Sequence, residues 1–201
     1  PDADDAFMFY GFASGRVRSN HFTIKHVIED IETLNRRALA HELDVTAVSA
    51  HAYAYLDDHV ILRGGGSFGL NYGPVVIAKK EKGMTIDGLK GATIAIPGRM
   101  TSANLLLQLA IGRFRESETS FEAIPHAVLS GKADAGLVIH EAQITYDRAK
   151  FDGVLELGLP IMLEKPGGMN AADLAGIAEQ AAARGVATQM GYFLRYADPV
   201  R

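Results

Sequence analysis

Residues able to do chemistry gather in three short stretches. In "AGLVIHEAQITY" (135–146), His140 directly follows an apolar run and precedes Glu141. A histidine at the carboxyl end of a parallel strand stands at the edge where open α/β sheets bind ligands. Its imidazole titrates near neutrality and can act as a general base on a substrate C–H or O–H. The competing reading is a histidine that hydrogen-bonds a neighbouring loop. Glu141 either orients the ring or begins a helix, and Tyr146 reads as packing.

The second stretch, "PGRMTSANLLL" (97–107), places Thr101, Ser102 and Asn104 in the first turn of an apolar helix that follows a strand and a Pro-Gly turn. Free backbone N–H groups and side-chain polar groups there can face an anion. Ordinary N-capping needs only one of the three. The third stretch, "DVTAVSAHAY" (44–53), puts Ser49 at a strand end with His51 just beyond it. His51, among Ala and Tyr, reads as a helix-face or core residue. Asp2, Asp4 and Asp5 precede an aromatic helix, where carboxylates complement the helix dipole. No second ligand cluster accompanies them, so no metal site is expected, and no Ser/His/Asp nucleophile motif is present. Phe7, Phe9, Tyr10 and Phe12 face the core or line a pocket for a flat substrate.

The elements that must position these residues alternate along the chain. "FTIKHVI" (22–28), "DVTAVS" (44–49), "VILRGG" (60–65), "GPVVIAKK" (73–80), "GATIAIPG" (91–98), "AGLVIH" (135–140) and "GVLELG" (153–158) have strand character. "DIETLNRRALAHE" (30–42), capped by Asp30, and "TSANLLLQLAIGRF" (101–114) have helix character. The alternation predicts an α/β fold with mainly parallel sheet. "RGGGSFGLNYG" (63–73) marks a boundary, with residues 1–70 as lobe one and 74–157 as lobe two. A G-x-G-x-x-G match at 64–69 is not followed by a helix, so it lacks the helix N-terminus that would bind phosphate. Beyond it, "LPIMLEKP" (159–166), "NAADLAGIAEQAAARG" (170–185) and "VATQMGYFLRY" (186–196) read as one βαβ unit, with Asn170 and Gly185 as caps.

The 201 residues are 48% hydrophobic with a net charge of -4, which suits a folded core and leaves no concentrated basic face for nucleic acid. No apolar run reaches the roughly 18–20 residues of a membrane span, and no basic signal region opens the chain. The absence of cysteine excludes disulfides and thiolate metal sites. A cytoplasmic location is the expectation, although a periplasmic chain fits almost as well.

"PDADDAFMFYGFASGRV", "EDIETLNRRALAHELDVTAVSAHAYAYL", "GPVVIAKK", "IAIPGRMTSANLLL" and "GLVIHEAQITY" together resemble the 1,4-dihydroxy-6-naphthoate synthase family of the futalosine route to menaquinone, over about residues 1–157. The resemblance implies the two-lobed fold of type II periplasmic binding proteins, with a cleft between the lobes. It implies a lyase that fragments cyclic dehypoxanthinylfutalosine into the dihydroxynaphthoate and a sugar remnant, without metal, nucleotide or other cofactor. The histidine of the "IHE" motif, the proposed base, falls on His140. Hydroxyls after the "PG" turn fall on Thr101 and Ser102 with Asn104 close by, and the strand-end serine falls on Ser49; these suit the substrate's carboxylate and sugar hydroxyls. The family's Asn-Asp-Thr-Phe run is here Asp4, Asp5, Ala6 and Phe7, so a hydroxyl is missing at position 6.

Residues 158–201 instead resemble a fragment of the glucose-fructose oxidoreductase/inositol dehydrogenase (Gfo/Idh/MocA) family. "EKP" (164–166) matches its signature, with Lys165 in the place of a lysine near nicotinamide and substrate. The family's dinucleotide fingerprint and catalytic domain have no counterpart. The expectation is therefore a chimeric or truncated chain in which turnover is doubtful and whose partner is a small aromatic carboxylate, with a homodimer left open. A small-carboxylate solute-binding protein, an NAD(P)-dependent oxidoreductase and a chimera without function stay as alternatives.

Overall fold

A computed structural model describes residues 3–62, 73–139, 142–157, 162–164 and 189–191. The chain divides into two compact units, residues 1–59 with 73–157, and residues 60–72 with 158–201.

The first unit is built on a five-stranded sheet. Its strands are β1 (Val75–Lys79), β2 (Thr93–Ile96), β3 (Arg115–Glu118), β4 (Ala135–Val138) and β5 (Phe151–Glu156), in the order β3-β2-β4-β1-β5. The expectation of a mainly parallel sheet needs correction. β2 runs parallel to both β3 and β4, but β1 is antiparallel to both β4 and β5, so the sheet is mixed. Apolar alternation sets which face a residue lines and carries no information on strand direction.

Helices cover both faces. Val76, Ala78, Ile94, Ile96, Ala135 and Leu137 pack in one buried cluster with Leu89 of α4 (Ile86–Leu89) and with Leu107 and Ile111 of α5 (Ser102–Ile111). Val75, Ile77, Ala95 and Val138, on the opposite face, pack with Ile124, Ala127 and Val128 of α6 (Ile124–Ser130). The period-2 alternation along β1 and β2 thus splits their side chains between two cores. At Gly136 a Cβ would overlap the methyl groups of Ile124 and Val128, so the missing side chain lets α6 lie close on β4. One half-buried carboxylate also ties the parallel β2–β4 pair. Asp134 accepts the Thr93 N–H at 3.0 Å and lies 3.4 Å from Lys82 Nζ. The Thr93 N–H, which outweighs the opposing effect of burial, and more weakly Lys82 hold its carboxyl below the usual range.

The segment before the sheet is mostly irregular. α1 (Ala3–Ala13) is followed by extended chain, then α2 (Ile31–Leu39) and the short α3 (Ala50–Tyr53). Asp30 caps α2 as expected, accepting the Thr33 N–H at 3.0 Å. The strands expected at 22–28 and 44–49 do not form, nor does residues 60–62 of "VILRGG" pair. Phe22, Ile28, Val45 and Val60 are exposed, and a strand is stable only where a ladder and packed neighbours take up its backbone and side chains. Phe9, Tyr10 and Phe12 of α1 are likewise exposed rather than in the core.

In the second unit, β6 (Met162–Glu164) and β7 (Gln189–Gly191) pair in parallel, with Met162 opposite Gln189 and Glu164 opposite Gly191. They fall inside the two strands expected of the βαβ segment, and parallel pairing is what a crossover connection produces. The helix expected at 170–185 and Lys165 lie outside the described residues, as does the Gly-rich stretch 63–72. Among the described residues, no helix is long and apolar enough to cross a membrane.

Candidate functional site

The site is centred on the turn between β2 and α5. β2 ends at Ile96, and Pro97-Gly98 turns the chain so that Thr101 becomes the N-cap of α5, extended at φ -72°, ψ 145°. Its hydroxyl donates to the Gly98 carbonyl at 2.8 Å and accepts the Asn104 N–H at 3.2 Å. Thr101 is buried, so its side chain is committed to shaping the turn. Ser102 and Ala103 follow at the first two helical positions. Their N–H groups have no acceptor among the described residues, and neither does the Ser102 hydroxyl. Helices leave their first N–H groups unpaired, and two donors at the positive end of a ten-residue helix favour an anion.

Asn104 is fully buried. Its Nδ2 donates to the Arg99 carbonyl at 3.1 Å, which fixes the amide orientation because the reverse would set two oxygens against each other. Its Oδ1 has no partner among the described residues. An unpaired buried acceptor costs about 1–3 kcal/mol, which a hydroxyl or water from a ligand would recover.

Two further elements buttress this turn. From α2, the fully buried Asn35 receives the Ser49 N–H on Oδ1 at 2.8 Å and donates through Nδ2 to Ser49 Oγ at 3.0 Å and to the Met100 carbonyl at 3.3 Å. Glu32, one turn earlier, accepts the Met100 N–H at 3.0 Å and pairs with Arg36 at 3.1 Å. A Cβ on Gly98 would overlap the Glu32 carboxylate, so the glycine is what permits this approach. From α3, His51 Nδ1 lies 3.3 Å from the Thr101 carbonyl. A carbonyl only accepts, so that contact places the proton on Nδ1 and leaves Nε2 of the neutral ring as an acceptor. Arg36 pairs with Glu118, and Arg99 lies 2.8 Å from Glu118 and 3.3 Å from Glu116. The nearby guanidinium groups thus have carboxylate partners, and the unpaired donors are the backbone N–H groups.

Of the expected ligand contacts, Ser49, Thr101, Ser102 and Asn104 are therefore brought to one turn. Thr101 and Ser49 are already hydrogen-bonded within the protein, whereas Ser102 and Asn104 retain unused groups. His140 and Glu141 lie outside the described residues. β4 lies beside β2 and parallel to it, with Ala95 opposite Gly136, so the chain leaves β4 through Ile139 at the same sheet edge where it leaves β2 for α5. Asn35 and Glu32 were not singled out from sequence, and His51 was read only as a helix-face or core residue. One signal was available: an asparagine inside a helix is a poor helix former and wants a partner for its side chain.

Residues 1–159 match the pattern of a family described as menaquinone biosynthesis. The chain belongs to the menaquinone biosynthesis family. A 1,4-dihydroxy-6-naphtoate synthase from Thermus thermophilus is 40% identical over 159 residues, which cover 79% of this chain and 57% of the relative. A protein of the same name from Streptomyces coelicolor is 34% identical over 167 residues, again 79% of this chain and 57% of the relative. The chain thus spans little more than half the length of these members of the menaquinone biosynthesis family. Among solved structures, protein AF1704 from Archaeoglobus fulgidus is 55% identical with a TM-score of 0.70, over 78% of this chain and 58% of that one. The substrate-binding protein of an amino acid ABC transporter is 16% identical with a TM-score of 0.51, over 90% of this chain and 82% of its own, a likeness of fold alone. The family match ends at residue 159, so the oxidoreductase resemblance of residues 158–201 rests on their sequence only.

Proposed function

We propose that the chain carries the ligand-binding turn of a 1,4-dihydroxy-6-naphthoate synthase-type lyase, acting in the cytoplasm on cyclic dehypoxanthinylfutalosine. The observation that carries this reading is the α5 N-terminus, where the unpaired Ser102 and Ala103 N–H groups and the unpartnered Asn104 Oδ1 meet in one turn of a chain from the menaquinone biosynthesis family. The N–H pair and the Ser102 hydroxyl take the substrate's carboxylate, and Asn104 Oδ1 accepts from a hydroxyl. Asn35 and Glu32 hold the turn, and Ser49 is held in line with it. His140 serves as general base. Its support is its motif and its place in sequence, next to Ile139 on the segment that leaves β4 at the same edge.

The type II periplasmic-binding-protein architecture, with its ligand between two lobes, accompanies this reading. So does a recombined C-terminal segment that contributes no cofactor chemistry.

The test is to incubate the chain with cyclic dehypoxanthinylfutalosine and follow release of 1,4-dihydroxy-6-naphthoate by its absorbance. Wild type should form product, and His140→Ala should lose turnover while still binding the naphthoate. Binding without turnover in wild type would leave a carboxylate-binding protein. Neither binding nor turnover would reject the proposal.

A further inference from the structure

The segment between the end of α2 and residue 59 holds a cluster that the site above does not use. His41, Asp58 and His59 each offer one ligand atom, and these atoms all lie within 4.8 Å of one another. His59 Nδ1 is 2.8 Å from Asp58 Oδ1, and His41 Nδ1 is 3.4 Å from Asp58 Oδ2. The two imidazoles stack with centroids 5.5 Å apart and planes at 26°. Donors about 2.0–2.2 Å from a tetrahedral zinc ion stand about 3.4 Å from one another. Small side-chain rotations therefore bring all three groups to coordinating distance. His41 and Asp58 are 60% and 64% exposed, which leaves room for water to complete the coordination.

A second observation concerns the backbone. α2 ends with the His41 N–H on the Ala38 carbonyl at 2.9 Å and the Glu42 N–H on the Arg37 carbonyl at 3.0 Å. That is the Schellman arrangement, whose left-handed position is usually glycine. Here it is His41, at φ 56°, and among the described residues no other non-glycine residue has positive φ. Helix termination alone would favour glycine, which adopts this conformation without steric cost. A residue that breaks the local rule marks a place to look for function. What His41 supplies that glycine lacks is an imidazole set against Asp58 and stacked on His59.

We propose that His41, Asp58 and His59 bind a divalent transition-metal ion of the zinc class, clipping the end of α2 to the segment after α3. Two imidazoles and one carboxylate suit zinc and its neighbours rather than magnesium or calcium, which prefer oxygen alone.

The test uses the untagged full chain, titrated with zinc by calorimetry and with cobalt(II) by visible absorption, alongside thermal melts. Wild type should take up one equivalent, show cobalt ligand-field bands and melt at a higher temperature with zinc, since the ion binds the folded state. His41→Gly suits the backbone, so it should melt no lower than wild type without metal. Its zinc affinity should nonetheless fall by at least about tenfold, the lower end of what disturbing even an outer-sphere partner costs. His59→Gln should weaken binding likewise, and His126→Gln, exposed on α6, should leave it unchanged. The proposal is overturned by absence of saturable binding, by undiminished binding in His41→Gly and His59→Gln, or by an equal loss in His126→Gln.

Discussion

Asn35→Ala is the most informative change to the support of the candidate site. It removes three hydrogen bonds at once and orphans the Ser49 N–H and the Met100 carbonyl, beside a side chain with no solvent exposure. Each orphaned buried group costs about 1–3 kcal/mol. Water entering the space left by the amide recovers part of that, and alanine returns up to about 0.7 kcal/mol in helix propensity. The net loss should be about 2–3 kcal/mol, well inside the roughly 5–15 kcal/mol of an ordinary domain, so the chain stays folded. With a urea slope of about 2 kcal/mol/M, the middle of the usual range, the midpoint should fall by about 1–1.5 M at unchanged slope. Ser49→Ala leaves the Ser49 N–H and the Met100 carbonyl paired and should cost only about 1 kcal/mol. Urea unfolding followed by circular dichroism measures both. A shift for Asn35→Ala no larger than for Ser49→Ala would refute the view that Asn35 joins α2 to the turn before α5.

Gly98→Ala should destabilise the chain by about 1–3 kcal/mol, because its methyl group overlaps the Glu32 carboxylate. Adding Glu32→Ala should relieve the overlap, so that the double variant is more stable than the two single losses predict; simple additivity would show that the contact is not the cause. Asp134 contributes stability at neutral pH that is lost in acid. Its folded carboxyl is held below its unfolded value, so the contribution is complete above that value and fades as pH falls through the folded one. Asp134→Asn should therefore flatten the decline in melting temperature below about pH 4, and an unchanged acid limb would contradict the assignment.

What the sequence made legible was local. Asp30 was readable as a cap because a cap is a side chain bonding the backbone three residues on, whereas Thr101, expected inside the first turn of its helix, is the cap just before it. β1, β2 and β4 were readable from apolar runs bounded by turns. The direction of β1 was not, since the same alternation serves an antiparallel neighbour. Residues 22–28 and 44–49 carry the composition of strands without forming them, because pairing depends on a partner elsewhere in the chain. Asn35 and Glu32 look like the polar face of a helix in sequence, and only the approach of the Gly98–Met100 turn turns them into buried anchors. His41 was hidden for the opposite reason: it stands where the end of a helix calls for glycine.

Ser102→Pro tests the central claim most directly. Proline suits the first position of a helix, and Thr101 before it is already in the extended conformation that proline requires. The substitution deletes one backbone N–H and one hydroxyl from the turn while leaving α5 intact. Calorimetric titration with 1,4-dihydroxy-6-naphthoate should show saturable binding to the wild type and at least about tenfold weaker binding to Ser102→Pro, the equivalent of about 1.4 kcal/mol for the lost donors. Equal affinity in the two proteins, with Ser102→Pro melting normally, would show that the ligand does not bind at the N-terminus of α5.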